Sequence, residues 1–194
     1  MPARSYASAI SLAAALGLLA GPAGAGSLVD AATRAEQLAS AGNPVGAHDV
    51  LRDAFGTFAS ALPFSIGRAT FVTEAPQGYC MYEPRLNTVY KPGEPLISYV
   101  EPVGLSWRPV DEGRLEAQFT VDLELLNGKG DTLAEQKAFG SFTFRGFVRN
   151  QEVFAKLTLN VEGPPAGDYV LRYRFRDGIS GAVALSDQKF SIAP

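Results

Sequence analysis

The chain has 194 residues, with 17 Lys and Arg against 20 Asp and Glu and a formal charge of −3. This balance leaves no basic surplus to hold nucleic acid and no polybasic tail for an anionic lipid surface. A single cysteine and a single histidine exclude Cys-His and Cys-Cys metal sites.

Residues 1–25 read as a cleaved signal peptide. Arg4 gives a short positive start, Ala7 to Ala20 is an apolar run, and Gly21-Pro22 breaks the helix. Ala23 and Ala25 fit a small-residue cleavage site. A membrane anchor would need about 20 apolar residues in a row, and this run is shorter. No second long apolar run follows, so no membrane span is expected after cleavage. The expected location is periplasmic or extracellular. Loss of Arg4 with the leader takes the charge to −4, and the remaining length suits one domain with a small appendage.

The spacing predicts a helical hairpin over residues 26–62. Leu28, Ala31, Ala32, Ala35, Leu38 and Ala39 recur at helical spacing, with Ser27 as N-cap. Gly42-Asn43-Pro44 ends the first helix, and Pro44 opens the second. The apolar face of the second is expected to be Ala47, Val50, Leu51, Ala54, Phe55 and Phe58. His48 is expected to be exposed or capping. The pattern Ala39-x-x-Gly42 with Ala47-x-x-x-Leu51-x-x-Ala54 resembles one tetratricopeptide unit. A lone unit cannot bury its own apolar face, and no second copy occurs, so the hairpin is expected to pack on the main domain or on a partner.

Residues 63–194 are expected to form the sandwich domain, and from about Ala69 onward the pattern changes to period two. Phe119 to Leu125, Ala155 to Val161 and Tyr169 to Phe175 each alternate apolar with polar residues. Leu96 to Val100 and Val183 to Ile192 are further strands, with weaker ones at Ala69 to Thr73 and Phe142 to Val148. Pro92-Gly93, Asn127-Gly128, Pro164-Pro165 and Asp177-Gly178 punctuate them as turns. About seven short strands without interleaved helices define a mainly β chain, an antiparallel β-sandwich preceded by a short helical hairpin. A closed barrel is the alternative.

Two stretches carry a family resemblance. They are Tyr90-Lys91-Pro92-Gly93-Glu94-Pro95-Leu96-Ile97-Ser98-Tyr99-Val100-Glu101 and Pro165-Ala166-Gly167-Asp168-Tyr169-Val170-Leu171-Arg172-Tyr173, running on to Asp177 and Ser180-Gly181. In these the region resembles the immunoglobulin-like sandwich of exported, mostly uncharacterised bacterial proteins. The resemblance implies a sandwich ending in a hairpin of two long strands, and no particular activity.

Few residues point to chemistry. Arg172, Arg174 and Arg176 form a row on one strand face, read as a cross-strand charge ladder with an anion site as the alternative. Trp107, beside Arg108 in a loop, is the best candidate for an exposed contact within a group that includes Tyr79, Tyr82, Tyr90 and Tyr99. Cys80 is expected to be a buried thiol. Asp111, Glu112, Asp168, Asp177 and Asp187 read as solvated turn acids rather than calcium ligands. No nucleophile elbow, zinc-protease motif, phosphate loop or dinucleotide fingerprint occurs, and no catalytic residue, metal or cofactor is expected. The expected function is a non-catalytic envelope protein that binds another protein through the sandwich or the hairpin. A glycan- or small-ligand-binding module is the alternative, and a carboxylate enzyme the least favoured reading.

Overall fold

The structure is a computed structural model, and it describes residues 25–161 and 163–194. The signal-peptide reading therefore lies outside the described residues, apart from Ala25. There helix α1 (Ala25–Ser40) begins, so position 27 lies within the helix rather than before its start. Asn43 caps α2 (Pro44–Ser60) by accepting the Gly46 N–H at 2.9 Å. Gly42, at φ +76, turns the chain between the helices in a conformation that suits a residue without Cβ. Among the described residues, no helix is long and apolar enough to cross a membrane.

The strands form two sheets. The smaller holds β1 (Ser65–Val72), β3 (Pro95–Val103) and β7 (Ala155–Asn160) in the order β1-β3-β7. The larger joins β2 (Val89–Tyr90), β9 (Val183–Ile192), β8 (Gly167–Asp177), β5 (Leu115–Asn127) and β4 (Arg108–Pro109). In it β6 (Thr132–Gly146) also pairs with β5. All pairings are antiparallel except β2 with β9. The chain is thus a β-sandwich preceded by a helical hairpin, and among the described residues no barrel closes.

Alternation decides which faces meet. Phe119, Val121, Leu123 and Leu125 on β5 are buried, as are Tyr169, Leu171, Tyr173 and Phe175 on β8 and Ala155 and Leu157 on β7. Polar contacts at Ser98 cross the core. The Ser98 hydroxyl of β3 bonds the Gln188 Oε1 of β9 at 2.6 Å and meets the Tyr173 hydroxyl at 3.2 Å. Burial pushes the Tyr173 phenol up to about 12, so it stays a neutral hydrogen-bonding group. At the start of β8, the Tyr169 hydroxyl donates to the Pro165 carbonyl at 2.6 Å, as in the tyrosine corner of immunoglobulin-like sandwiches.

β6 is longer than its sequence suggests. Its inward rings begin at its middle: Phe139 lies beside Tyr173, and Phe142 and Phe144 pack beside Phe119. Its first half, Thr132–Gln136, pairs with the far end of β5 after a break in register next to Ala138. Ala138 has φ +50, and its N–H donates to Asp122 Oδ1 at 2.9 Å. A side chain on the neighbouring strand thus holds the bulge in place.

Asp177 is the turn acid that departs most from expectation. It is fully buried. Its carboxylate accepts the N–H groups of Ile179 (2.7 Å), Ser180 (2.9 Å) and Ser106 (2.8 Å). One side chain thus shapes the β8–β9 turn and ties the Trp107 loop to it. Asp177→Ala leaves three backbone donors without their acceptor, and a loss of about 2–4 kcal/mol in urea unfolding is expected.

Candidate functional site

The hairpin packs with its small residues inward. Ala35 of α1 and Ala47 and Ala59 of α2 are buried, and alanines allow two helices to approach closely. On another side of α2, Gly56 lies against the loop after β6, where an added Cβ would fall 2.8 Å from the Arg149 carbonyl oxygen. At the base of the hairpin, Gly104 sits under the Leu62 and Pro63 carbonyls, 2.6 Å from where its Cβ would be.

These contacts leave the large apolar residues outside. The expected apolar face of α2 is not its buried face: only Ala47 is buried, Val50 and Ala54 are half-buried, and Leu51, Phe55 and Phe58 are exposed. Leu51 keeps 48% and Phe55 54% of its surface open. Their spacing, i, i+4 and i+7, lines them along one stripe. Beside the stripe, a cleft of about 260 Å³ runs between the helices over Ala32, Ala35, Ala39, Ala47 and Leu51. A second of about 270 Å³ lies between Phe55 and residues 149–152. His48 borders both and is exposed, 3.4 Å from Asp49.

The residues singled out from sequence are dispersed. Trp107 is half-buried against the core, with its indole N–H buried and unpartnered among the described residues. Arg108 is held by Glu116 Oε1, at 3.2 Å from Nε and 2.6 Å from the terminal nitrogen. Arg172 grips Asp187 with two bonds of 2.8 and 2.7 Å, in register with Glu124 on its other side. Arg174 lies across from Asp122 and Leu185, and Arg176 across from Thr120 and Val183. Tyr90 and Tyr99 are buried and Tyr79 and Tyr82 half-buried, so these rings form no exposed row. Among the described residues, no three of His, Cys, Asp and Glu are placed to hold a metal ion.

Cys80 is exposed, contrary to the expected buried thiol. The loop between β1 and β2 carries it over the outer face of β3, at φ +58. Its N–H donates to the Tyr99 hydroxyl at 2.8 Å, and its thiol lies 3.6 Å from Glu101 Oε1. Tyr82 stacks on Tyr99 at 4.2 Å and receives a bond from Arg68 at 2.9 Å. Local desolvation and the Glu101 carboxylate both push the thiol up. Glu101→Gln removes a charge that opposes the thiolate, so faster iodoacetamide labelling of Cys80 at mildly alkaline pH is expected.

Among the described residues, three carboxyls have lowered pKa values. The Lys91 N–H and Arg85 hold Glu94 down, Arg172 holds Asp187 down, and Arg108 and Arg145 hold Glu116 down. Glu116 is buried between its two arginines, and Arg145 Nε donates to its other oxygen at 2.7 Å. Its ionised form is favoured by folding. The stabilisation is complete above the ordinary carboxylate range and is lost as pH falls through the lower, folded value. Glu116→Gln should therefore lower stability at neutral pH and flatten its decline in acid, as thermal unfolding across that range would measure.

No family profile matches the sequence, and no curated protein sequence does. Several solved structures share part of its shape. The sporulation control protein Spo0M from Bacillus subtilis is 11% identical over 69% of this chain and 50% of its own, with TM-score 0.41. The chain thus spans half the length of Spo0M. The PKD domain of an M14-like peptidase from Thermoplasmatales archaeon SCGC AB-540-F20 is 11% identical over 69% of this chain and 98% of its own, at 0.39. Superoxide reductase (neelaredoxin) from Ignicoccus hospitalis is 13% identical over 66% of this chain and 82% of its own, at 0.36.

Proposed function

We propose that this is an exported, non-catalytic envelope protein that binds another protein through its helical hairpin. The observation that carries the reading is the stripe of Leu51, Phe55 and Phe58, left open on α2 beside the interhelical cleft. Apolar side chains on one helix face gain by burial against a partner's apolar surface, about 1.5–3 kcal/mol for each one fully covered. A helix pair that buries its alanines and exposes its large side chains leaves that gain to a second molecule. Export is supported by the three-part leader read in residues 1–25. The sandwich is read as immunoglobulin-like, and the Tyr169 hydroxyl bond to Pro165 supports this.

The test is a cross-linked pull-down of tagged protein from its native envelope fraction, alongside Leu51→Glu and Phe55→Glu. These exposed sites should change stability by less than about 0.5 kcal/mol. A specific protein retained by the parent and lost in both variants is the expected result. Retention unchanged by either substitution would overturn the hairpin as the binding surface.

A further inference from the structure

We propose that the outer edge of β7 receives an added strand from a partner polypeptide, apolar at alternate residues and acidic beside Lys156. The site is separate from the hairpin and does not depend on it.

The first ground is the backbone. β7 pairs with β3 on one side, and among the described residues no strand pairs with its other side. An edge of this kind presents a row of N–H and C=O groups that an extended peptide can bond. The six residues of β7 offer about 20 Å of edge.

A cavity supplies the second ground. At Leu157 the smaller sheet reaches the larger one, and a Cβ on Gly140 of β6 would meet the Leu157 side chain at 3.3 Å. Further along, a cavity of about 490 Å³ opens between Leu159 and Val161 at the end of β7, Leu123 and Leu125 of β5, and Leu133 and Ala134 of β6. Leu123 and Leu125 belong to the hydrophobic core, so the cavity is an opening into the space between the sheets. In an added strand, every second side chain points to the same face as Leu157 and Leu159. Those side chains descend toward Leu133 and Ala134, where apolar groups are favoured.

Charge identifies the occupant. Lys156 stands exposed on the outer face of β7 and has no acid within 4.0 Å among the described residues. Opposite charges on adjacent strands stabilise a pairing, and like charges oppose it. A second copy pairing through the same edge would bring a second Lys156 to it, so an acidic strand is preferred to self-association.

The probe is a capped octapeptide alternating threonine and leucine, with glutamate replacing one central threonine. Titrated into the isotopically labelled full chain, it should shift the amide signals of Ala155–Asn160 and the methyl signals of Leu123, Leu125 and Leu159. Binding with Kd below about 1 mM is expected. The same peptide N-methylated on alternate residues should not bind, since it lacks the donors. Ala134→Phe fills the cavity and should weaken binding roughly tenfold. Lys156→Glu, at an exposed site, should weaken the glutamate peptide and improve the same peptide carrying lysine. Leu51→Glu should leave every one of these results unchanged, which separates this site from the hairpin. Absence of binding, equal binding of the N-methylated peptide, or shifts confined to the hairpin would overturn the proposal.

Discussion

On the inner face of the larger sheet, Val121 lies in register with Phe175, Leu123 with Tyr173, and Leu125 with Leu171. The rest of the sandwich is assembled onto this pair of strands. β6 extends β5, β9 extends β8, and the smaller sheet covers the apolar surface they make together. A slip of one residue between β5 and β8 would turn these side chains outward, so burial itself fixes the register. Dispersion and apolar burial hold the layers, and the Ser98–Gln188 bond adds a directional constraint that tells one sheet where to sit on the other.

Charged groups play a different part. Most pairs are exposed, and such pairs contribute little to stability. Buried carboxylates are the exception. Asp177 organises a loop through backbone N–H groups, and Glu116 joins β4 to β6 through Arg108 and Arg145. Both use acid to shape a local piece of chain, away from the exposed apolar residues of α2.

Strands were legible where burial imposes alternation. β5, β7 and β8 read directly from their period of two, and the Asn127-Gly128 and Asp177-Gly178 turns bounded them. The first half of β6 was not legible, because Thr132 to Lys137 is mostly exposed and no core face selects its residues. Its strand conformation comes from the length of β5, a tertiary cause. The helices were legible, but their faces were not. Helical periodicity marks apolar positions without saying whether alanines or phenylalanines will meet the neighbour, and here the alanines do. Cys80 misled for a related reason. Its neighbours are apolar, yet Tyr79, Met81 and Tyr82 belong to a loop lying over β3, where Tyr99 and not Cys80 takes the covered position.

The parallel pairing of β2 with β9 bears on the order of assembly during synthesis. The Ser191 N–H donates to the Thr88 carbonyl at 2.9 Å and the Ala193 N–H to the Tyr90 carbonyl at 2.8 Å, so residues far apart in sequence share one ladder. Tyr90 packs edge-on against both Phe71 and Phe190. β2 consequently has no sheet to join until Val183–Ile192 has been made. A nascent chain halted before that point keeps the Tyr90 side of its core open, with apolar rings uncovered until the β9 segment arrives.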